Sequence, residues 1–147
     1  EEGDRILNEI IGNRQLVSIH VRRGDYTLYP DYHPVCSPNY YSLGIEEIKK
    51  ISGENVNIII FSDDKKWCYE NMTNHIGNNF TIPTTENPYV ELYMMTKCNY
   101  HIIANSSFSW WGSWLSNSKA TVCPSVWLGP AINGNTKDVS SDRWINI

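Results

Sequence analysis

Apolar and polar positions change period several times along the chain, and each change marks an element. Val17, Ile19 and Val21 alternate with Ser18 and His20, the period of two that a strand requires. Ahead of them, Ile6, Leu7, Ile10 and Ile11 share one face of a helix over residues 4–11, ended by Gly12-Asn13. Residues 24–36 show no period and predict a long loop, a length that in compact domains usually carries function. Ser37 followed by Pro38 starts a helix that runs to about residue 51, where Ser52-Gly53 stops it. Val56 to Phe61 is a near-continuous apolar run, as a strand covered on both faces requires. Ser62-Asp63-Asp64 then cap a short helix through Met72. The pattern continues with a short strand at 80–83, a loop at 84–87, a helix over 88–99 and a strand at 101–104. Asn105-Ser106-Ser107 cap a helix through Leu115, a strand follows at 120–123, and residues 129–141 predict an irregular tail ending at Trp144-Ile145. There is no internal repeat and no interior linker. Strands separated by helices call for an α/β domain: a Rossmann-like parallel sheet with right-handed crossovers and helices on both faces.

Composition narrows the partners. The 147 residues suit one domain, and 41% hydrophobic with 19% charged content is ordinary globular usage. A net charge of −4 and no basic run beyond two residues argue against nucleic acid over a broad face. Six Trp and nine Tyr are many for this length and hint at stacking surfaces or a large buried interface. Cys36, Cys68, Cys98 and Cys123 lie far apart without a C-x-x-C pair, so zinc is not expected and free, buried thiols in a reducing compartment are. No run approaches the length of a membrane span, and Glu1-Glu2-Gly3-Asp4 looks like the interior of a longer protein.

Three segments each follow a strand, and in a parallel sheet they end on one rim, where ligands bind. The first is Arg22-Arg23. Tandem arginines beyond a buried strand ask for a dianion, and their forked guanidinium groups match phosphate oxygens. A structural ion pair with Asp25 or Asp31 is the plainer alternative. The second is Ser62-Asp63-Asp64, whose carboxylates suit a helix cap, a ribose or a metal. Two arginines and a helix start already neutralise a diphosphate, so no metal is expected. The third is Asn105-Ser106-Ser107 with Ser109, whose hydroxyls and helix N–H groups offer a second phosphate site, or plain capping. Trp110, Trp111 and Trp114 predict core packing of that helix against the sheet. Arg23-Gly24-Asp25 spells a cell-adhesion tripeptide, but one joined to a buried strand rather than carried on a projecting loop.

His20-Val21-Arg22-Arg23-Gly24-Asp25-Tyr26, Phe61-Ser62-Asp63-Asp64 with Trp67, and the run from Ala104 to Leu115 resemble the α-1,2-fucosyltransferases of glycosyltransferase family 11. The resemblance spans about Val17 to Trp127. It implies the C-terminal, donor-binding domain of a GT-B-type enzyme that uses GDP-fucose as donor substrate, inverts the anomeric carbon, and needs neither metal nor cofactor. It implies that Arg22 and Arg23 hold the diphosphate, that His20 sits beside the nucleotide, and that Ser106 and Ser107 form the phosphate-side turn. Glu91 falls where related enzymes place an aspartate against guanine N1 and N2, sound chemistry for either carboxylate. The family's Gly-Asn-Gln opening and N-terminal acceptor domain have no counterpart here, so residues 1–147 are expected to be a single GDP-sugar-binding domain.

The implied reaction is direct displacement by a hydroxyl of a galactose-terminated glycan, with Arg22, Arg23 and the helix at Ser106 stabilising the departing GDP. Asp25, Asp31 and His33 are rival general bases, Asp25 being nearest the arginines. The expected donor-binding set is His20, Arg22, Arg23, Asp63, Asp64, Glu91, Asn105, Ser106 and Ser107. Two alternatives stand beside this reading, a non-catalytic GDP or GDP-sugar-binding module and a transferase for another GDP-sugar. The expected location is the cytoplasm or the inner face of a membrane in a bacterium, and the Golgi lumen in a eukaryote.

Overall fold

Alternation at Val17, Ile19 and Val21 puts a strand in the middle of the molecule, and everything else packs around it. The computed structural model describes residues 2–12 and 14–147. Asn13's share in ending the first helix, and the side chain of Ile11, lie outside the described residues. The elements are α1 (Glu2–Ile11), β1 (Gln15–Val21), α2 (Pro38–Ser52), β2 (Val56–Ser62), α3 (Lys65–Asn71), α4 (Thr73–Ile76), β3 (Phe80–Thr81), α5 (Pro88–Thr96), β4 (Tyr100–Ile102), α6 (Ser107–Trp114), β5 (Ala120–Cys123) and β6 (Ile145–Asn146). A single 3-10 turn at Asp25–Thr27 interrupts the long loop.

All six strands are parallel, in the order β3-β2-β1-β4-β5-β6. The expected Rossmann-like sheet is therefore present, and its order reverses between β1 and β4, the switch point at which open α/β sheets take ligands. Val17 and Ile19 of β1 lie beside Ile58 and Ile60 of β2 on one flank, and beside Tyr100 and Ile102 of β4 on the other. Tyr40, Tyr41, Ile45 and Ile48 of α2 cover this face of the sheet, with Cys68 and Met72. Ile6 and Leu7 of α1, Met94 and Met95 of α5, and Phe108 of α6 cover the other. Ser37 caps α2 by accepting the N–H of Tyr40 at 3.2 Å, and Gly53 ends it at φ +78°, a conformation that favours glycine.

Strand ends shift slightly, with β3 stopping at Thr81 rather than 83 and β4 covering Tyr100–Ile102 rather than 101–104, and four further details depart from the pattern. Helix α5 stops at Thr96 rather than residue 99, because Asn99 accepts the N–H of Leu16 at 2.8 Å and so belongs to the sheet edge. Thr73–Ile76 adds a helical turn after Met72. The end of the tail is a strand, β6, pairing Ile145 with Val122. The fourth concerns the tryptophans, which are not core. Ser109, Gly112 and Ser113 form the buried face of α6, while Trp111 and Trp114 are 50% and 51% exposed. Gly112 sets this orientation, since a Cβ there would stand 2.8 Å from Sδ and 3.0 Å from Cβ of Met95. Small residues let the helix lie close to the sheet, so the large rings must turn outward.

Gly112→Val should therefore destabilise the fold by about 1–3 kcal/mol through overpacking. Chemical denaturation checks it, and a variant as stable as the parent would mean that Met95 yields freely.

Candidate functional site

Beyond Val21 the extended chain points successive side chains to opposite sides, and the two arginines separate accordingly. Arg22 donates to Asp25 Oδ1 at 2.7 Å and to Asp63 Oδ2 at 3.0 Å, with its guanidinium 5.2 Å from the Tyr26 ring centroid. Arg23 turns away, donating from Nε to Asp64 Oδ2 at 3.2 Å and lying 3.9 Å over the Trp67 ring. The backbone N–H of Arg23 donates to Asp63 Oδ1 at 2.9 Å, so Asp63 ties the end of β2 to the end of β1. Asp64 caps α3 by accepting the N–H of Trp67 at 3.1 Å. The ion pair foreseen for Asp25 is thus present, and the adhesion tripeptide is built into the rim, its Gly24 packed against the Asp63 carboxylate.

His20, Arg22, Asp63, Lys65, Glu91 and Ser106 line a cleft of about 310 Å³ at this rim. Arg22 comes from the end of β1, Asp63 from the end of β2, Ser106 from the turn after β4, and Glu91 from α5. The cleft therefore spans the switch point. Glu91 has only 13% of its side chain exposed and pairs with Lys65 Nζ at 3.1 Å. Burial raises its carboxyl above the ordinary range, partly offset by the lysine. Lys65 joins the site beyond the residues that the motifs single out; its sequence signal is a cation at the first helical position after a rim cap, in a motif full of carboxylates. His20 is buried, its Nδ1 is 2.9 Å from Ser109 Oγ, and burial first, then the charge of Arg22, lowers it to about 3. It faces the cleft as a neutral imidazole.

The third motif divides. Ser106 is the N-cap residue of α6, but its side chain makes no capping bond, leaving the hydroxyl for the cleft it lines. Ser107 faces a separate groove on the far side of the helix start. Ser109 turns inward to His20. Asn105 is 4% exposed and holds structure together, donating from Nδ2 to the carbonyls of Pro34 at 2.9 Å and Trp127 at 3.1 Å. The cleft therefore gathers His20, Arg22, Asp63, Glu91 and Ser106, while Arg23, Asp64, Asn105 and Ser107 stand around it. Of the candidate bases, Asp25 is engaged with Arg22, Asp31 is exposed, and His33 stacks on Tyr26 at 4.8 Å.

Chemically, the cleft offers a guanidinium oriented by two carboxylates with N–H groups to spare, a hydroxyl at a helix N-terminus, and the largely buried carboxylate of Glu91. That set suits an anion at one end and a flat donor edge at the other. Among the described residues no cluster of three His, Cys, Asp or Glu has the placement to hold a metal ion. A larger groove of about 540 Å³ lies beside Thr121, Arg143 and Trp144, near the start of β5 and away from these groups. All four cysteines are free, and burial raises each thiol. No helix among the described residues is long and apolar enough to cross a membrane.

The sequence profile of glycosyl transferase family 11 matches residues 3–146. O-antigen biosynthesis glycosyltransferase WbnK of Escherichia coli is 38% identical over 146 residues, covering 94% of this chain and 46% of WbnK. An alpha-1,2-colitosyltransferase of Escherichia coli is 34% identical over 148 residues, covering 96% of this chain and 50% of its own length. The chain spans about half the length of these curated relatives. Among solved structures, the NodZ alpha-1,6-fucosyltransferase from Bradyrhizobium, co-crystallised with GDP, superposes with a TM-score of 0.58. The match covers 78% of this chain and 40% of NodZ at 14% identity, a likeness of fold that agrees with the GT-B-type Rossmann domain expected.

His20 and His101 generate an acid-sensitivity prediction. Both are lowered to about 3 by burial, His101 between Ser18 Oγ at 2.7 Å and Ser116 Oγ at 2.9 Å. The unfolded chain takes up these protons near pH 6.5 and the folded chain does not, so the stabilisation is complete above that pH and lost as pH falls toward 3. At pH 5.5 each histidine should have cost about 1.4 kcal/mol. Denaturation at pH 7.5 and 5.5 checks this. His101→Asn should remove about half of the difference, and an unchanged difference would refute the assignment.

Proposed function

The chain belongs to glycosyltransferase family 11, and from that premise we propose that it is the donor-binding part of an inverting, metal-independent α-1,2-fucosyltransferase that takes GDP-fucose. The observation that carries this reading is the placement of Arg22, Ser106 and Glu91 around one cleft at the switch point. Glu91 would accept the N1 and N2 protons of guanine, one carboxylate meeting two parallel donors. The diphosphate would lie against the free N–H groups of Arg22, the hydroxyl of Ser106 and the first amides of α6. Asp25 and Asp63 hold Arg22 for that task, so Asp25 orients the arginine rather than taking a proton.

In the transfer, a galactose hydroxyl of the acceptor attacks the fucose anomeric carbon and gives up its proton to a general base, as the bond to the GDP oxygen breaks on the opposite face. Charge grows on the leaving phosphate, and the preorganised donors above stabilise it. The relatives are about twice as long as this chain, and the other half would supply the facing acceptor domain that positions the nucleophile. Four unpaired thiols support a reducing compartment, the cytoplasmic side in a bacterium. The alpha-1,2-colitosyltransferase among the relatives keeps a second donor sugar in view. Colitose is fucose without its 3-hydroxyl, so the same nucleotide cleft would serve both.

Calorimetry with GDP and UDP tests the nucleotide assignment. Glu91→Gln should weaken GDP about 10- to 100-fold, the loss of hydrogen bonds to a charged group worth about 1.5–3 kcal/mol, and leave UDP almost unaffected. Arg22→Lys should weaken GDP about tenfold with little change in melting, whereas Arg23→Lys should lower the melting temperature more than the affinity, because it removes the stack on Trp67. Equal weakening of both nucleotides by Glu91→Gln would refute guanine recognition.

Asp63 is committed to Arg22 and Arg23, and Asp64 to Arg23 and the cap of α3. GDP should therefore bind equally with EDTA and with magnesium. A clear rise in affinity with magnesium or manganese would return both carboxylates to a metal role.

A further inference from the structure

On the far side of the α6 start from the donor cleft lies a second concavity, a groove of about 390 Å³. Its walls include Tyr26, His33, Ser107, Trp110, Trp111 and Trp127. Trp110 and Trp111 meet edge to face, with centroids 4.9 Å apart and planes at 81°, so their rings form a corner. Trp110 is locked there, stacked on Trp114 at 5.1 Å and donating from Nε1 to the Val139 carbonyl at 2.6 Å. Trp111 is half exposed, and an indole combines a broad apolar face with one N–H donor. The hydroxyl of Ser107 and the imidazole of His33 supply polar groups beside these rings. In the wall, the Nε1 of Trp127 is buried without a hydrogen-bond partner, an orphan donor in need of an acceptor.

Hydrogen bonds from distant segments tie the walls of the groove to one another. Asn105 donates to the carbonyl of Pro34, next to His33, and to that of Trp127, and so clamps two walls with one amide. Gly129 donates its N–H to the Tyr32 carbonyl at 2.8 Å and packs against the Asp31 carbonyl, where a side chain has no room. The groove also adjoins the donor cleft. Ser106 lines the cleft and Ser107 the groove, and the Arg22 guanidinium that lines the cleft lies over the Tyr26 ring that lines the groove.

We propose that this aromatic groove is the acceptor subsite, binding the terminal galactose of the glycan against Trp111 beside the donor; the proposal rests on the donor reading of the adjacent cleft. An aromatic corner with scattered hydroxyl, imidazole and indole N–H groups is the chemistry that recognises a pyranose. The C–H face of the ring stacks on the indole, and its hydroxyls meet the polar groups. Galactose suits this, because its axial 4-hydroxyl leaves H3, H4 and H5 on one unbroken apolar face. The groove thus assigns to the donor domain a part of acceptor recognition, with Asn105 as a positioning residue.

The test uses the full-length protein and lactose as the probe, with lactose affinity measured by NMR titration and GDP affinity by calorimetry. Trp111→Ala should weaken lactose at least tenfold, Trp111→Phe should keep part of the affinity, and Tyr69→Ala, at an exposed aromatic residue of α3 outside both the groove and the cleft, should match the parent. GDP affinity should be the same in all four proteins. In the unsubstituted protein, saturation transfer from the aromatic resonances should fall most strongly on galactose H3, H4 and H5. Lactose binding that survives Trp111→Ala overturns the proposal, as does a protein that binds GDP but not lactose, or saturation transfer that misses those three protons. Loss of GDP binding alone, with lactose still dependent on Trp111, would instead remove the donor reading and support the groove as a sugar site.

Discussion

A parallel sheet covered by helices on both faces can accept charge only at its edges, and this constraint shapes the rest of the molecule. Strand β1 lies between β2 and β4 with apolar side chains packed above and below. An unpaired charge in such an interior would cost several kcal/mol, so the cations and anions of the three motifs collect at the strand ends. Where polar groups do enter the sheet, they are neutral and paired. Ser18, His101 and Ser116 form one short chain, His20 bonds Ser109, and Ser113 bonds Thr121 at 2.7 Å. This seam fixes α6 against the central strands without requiring bulk, and it carries the start of α6 to the switch point.

At the rim, three basic groups, Arg22, Arg23 and Lys65, are shared among five carboxylates, Asp25, Asp63, Asp64, Glu86 and Glu91. These pairs are partly exposed and each adds little stability, about 1 kcal/mol or less. Their effect is geometric. Two carboxylates hold the Arg22 fork, and Arg23, clamped between Asp64 and Trp67, ties the rim to α3. An incoming diphosphate would meet an arginine that is already oriented, which lowers the entropy cost of binding.

Helix α6 divides the surface into two sites because its residues sort by size. The small face lets it approach the sheet, and two of the large rings that this excludes, Trp110 and Trp111, build the groove that adjoins the donor cleft. One helix start thereby presents a hydroxyl to an anion on one side and aromatic walls on the other. The family likeness of the motif accounts for its residues, and the packing accounts for their division of labour.

Much of this was legible in the sequence. The period-two run at Val17–Val21, the apolar run at Val56–Phe61, the Ser-Pro start of α2 and the Asn-Ser-Ser start of α6 located many of the elements, because strand alternation and capping are local properties. The rule that ligands gather at strand ends puts Arg22, Asp63 and Ser106 on one rim from their sequence positions alone. Which way each side chain turned was decided only by the fold. Arg23 leaves the cleft because Trp67 and Asp64 are waiting on its side, Asn105 is drawn inward by two carbonyls from distant segments, and Lys65 enters because α5 brings Glu91 to meet it. Three tryptophans at helical spacing read as core until Gly112 and its serines are seen against Met95. Local pattern determines what a segment becomes, whereas the direction of a side chain depends on partners far away in the chain, and only close packing in three dimensions chooses among them.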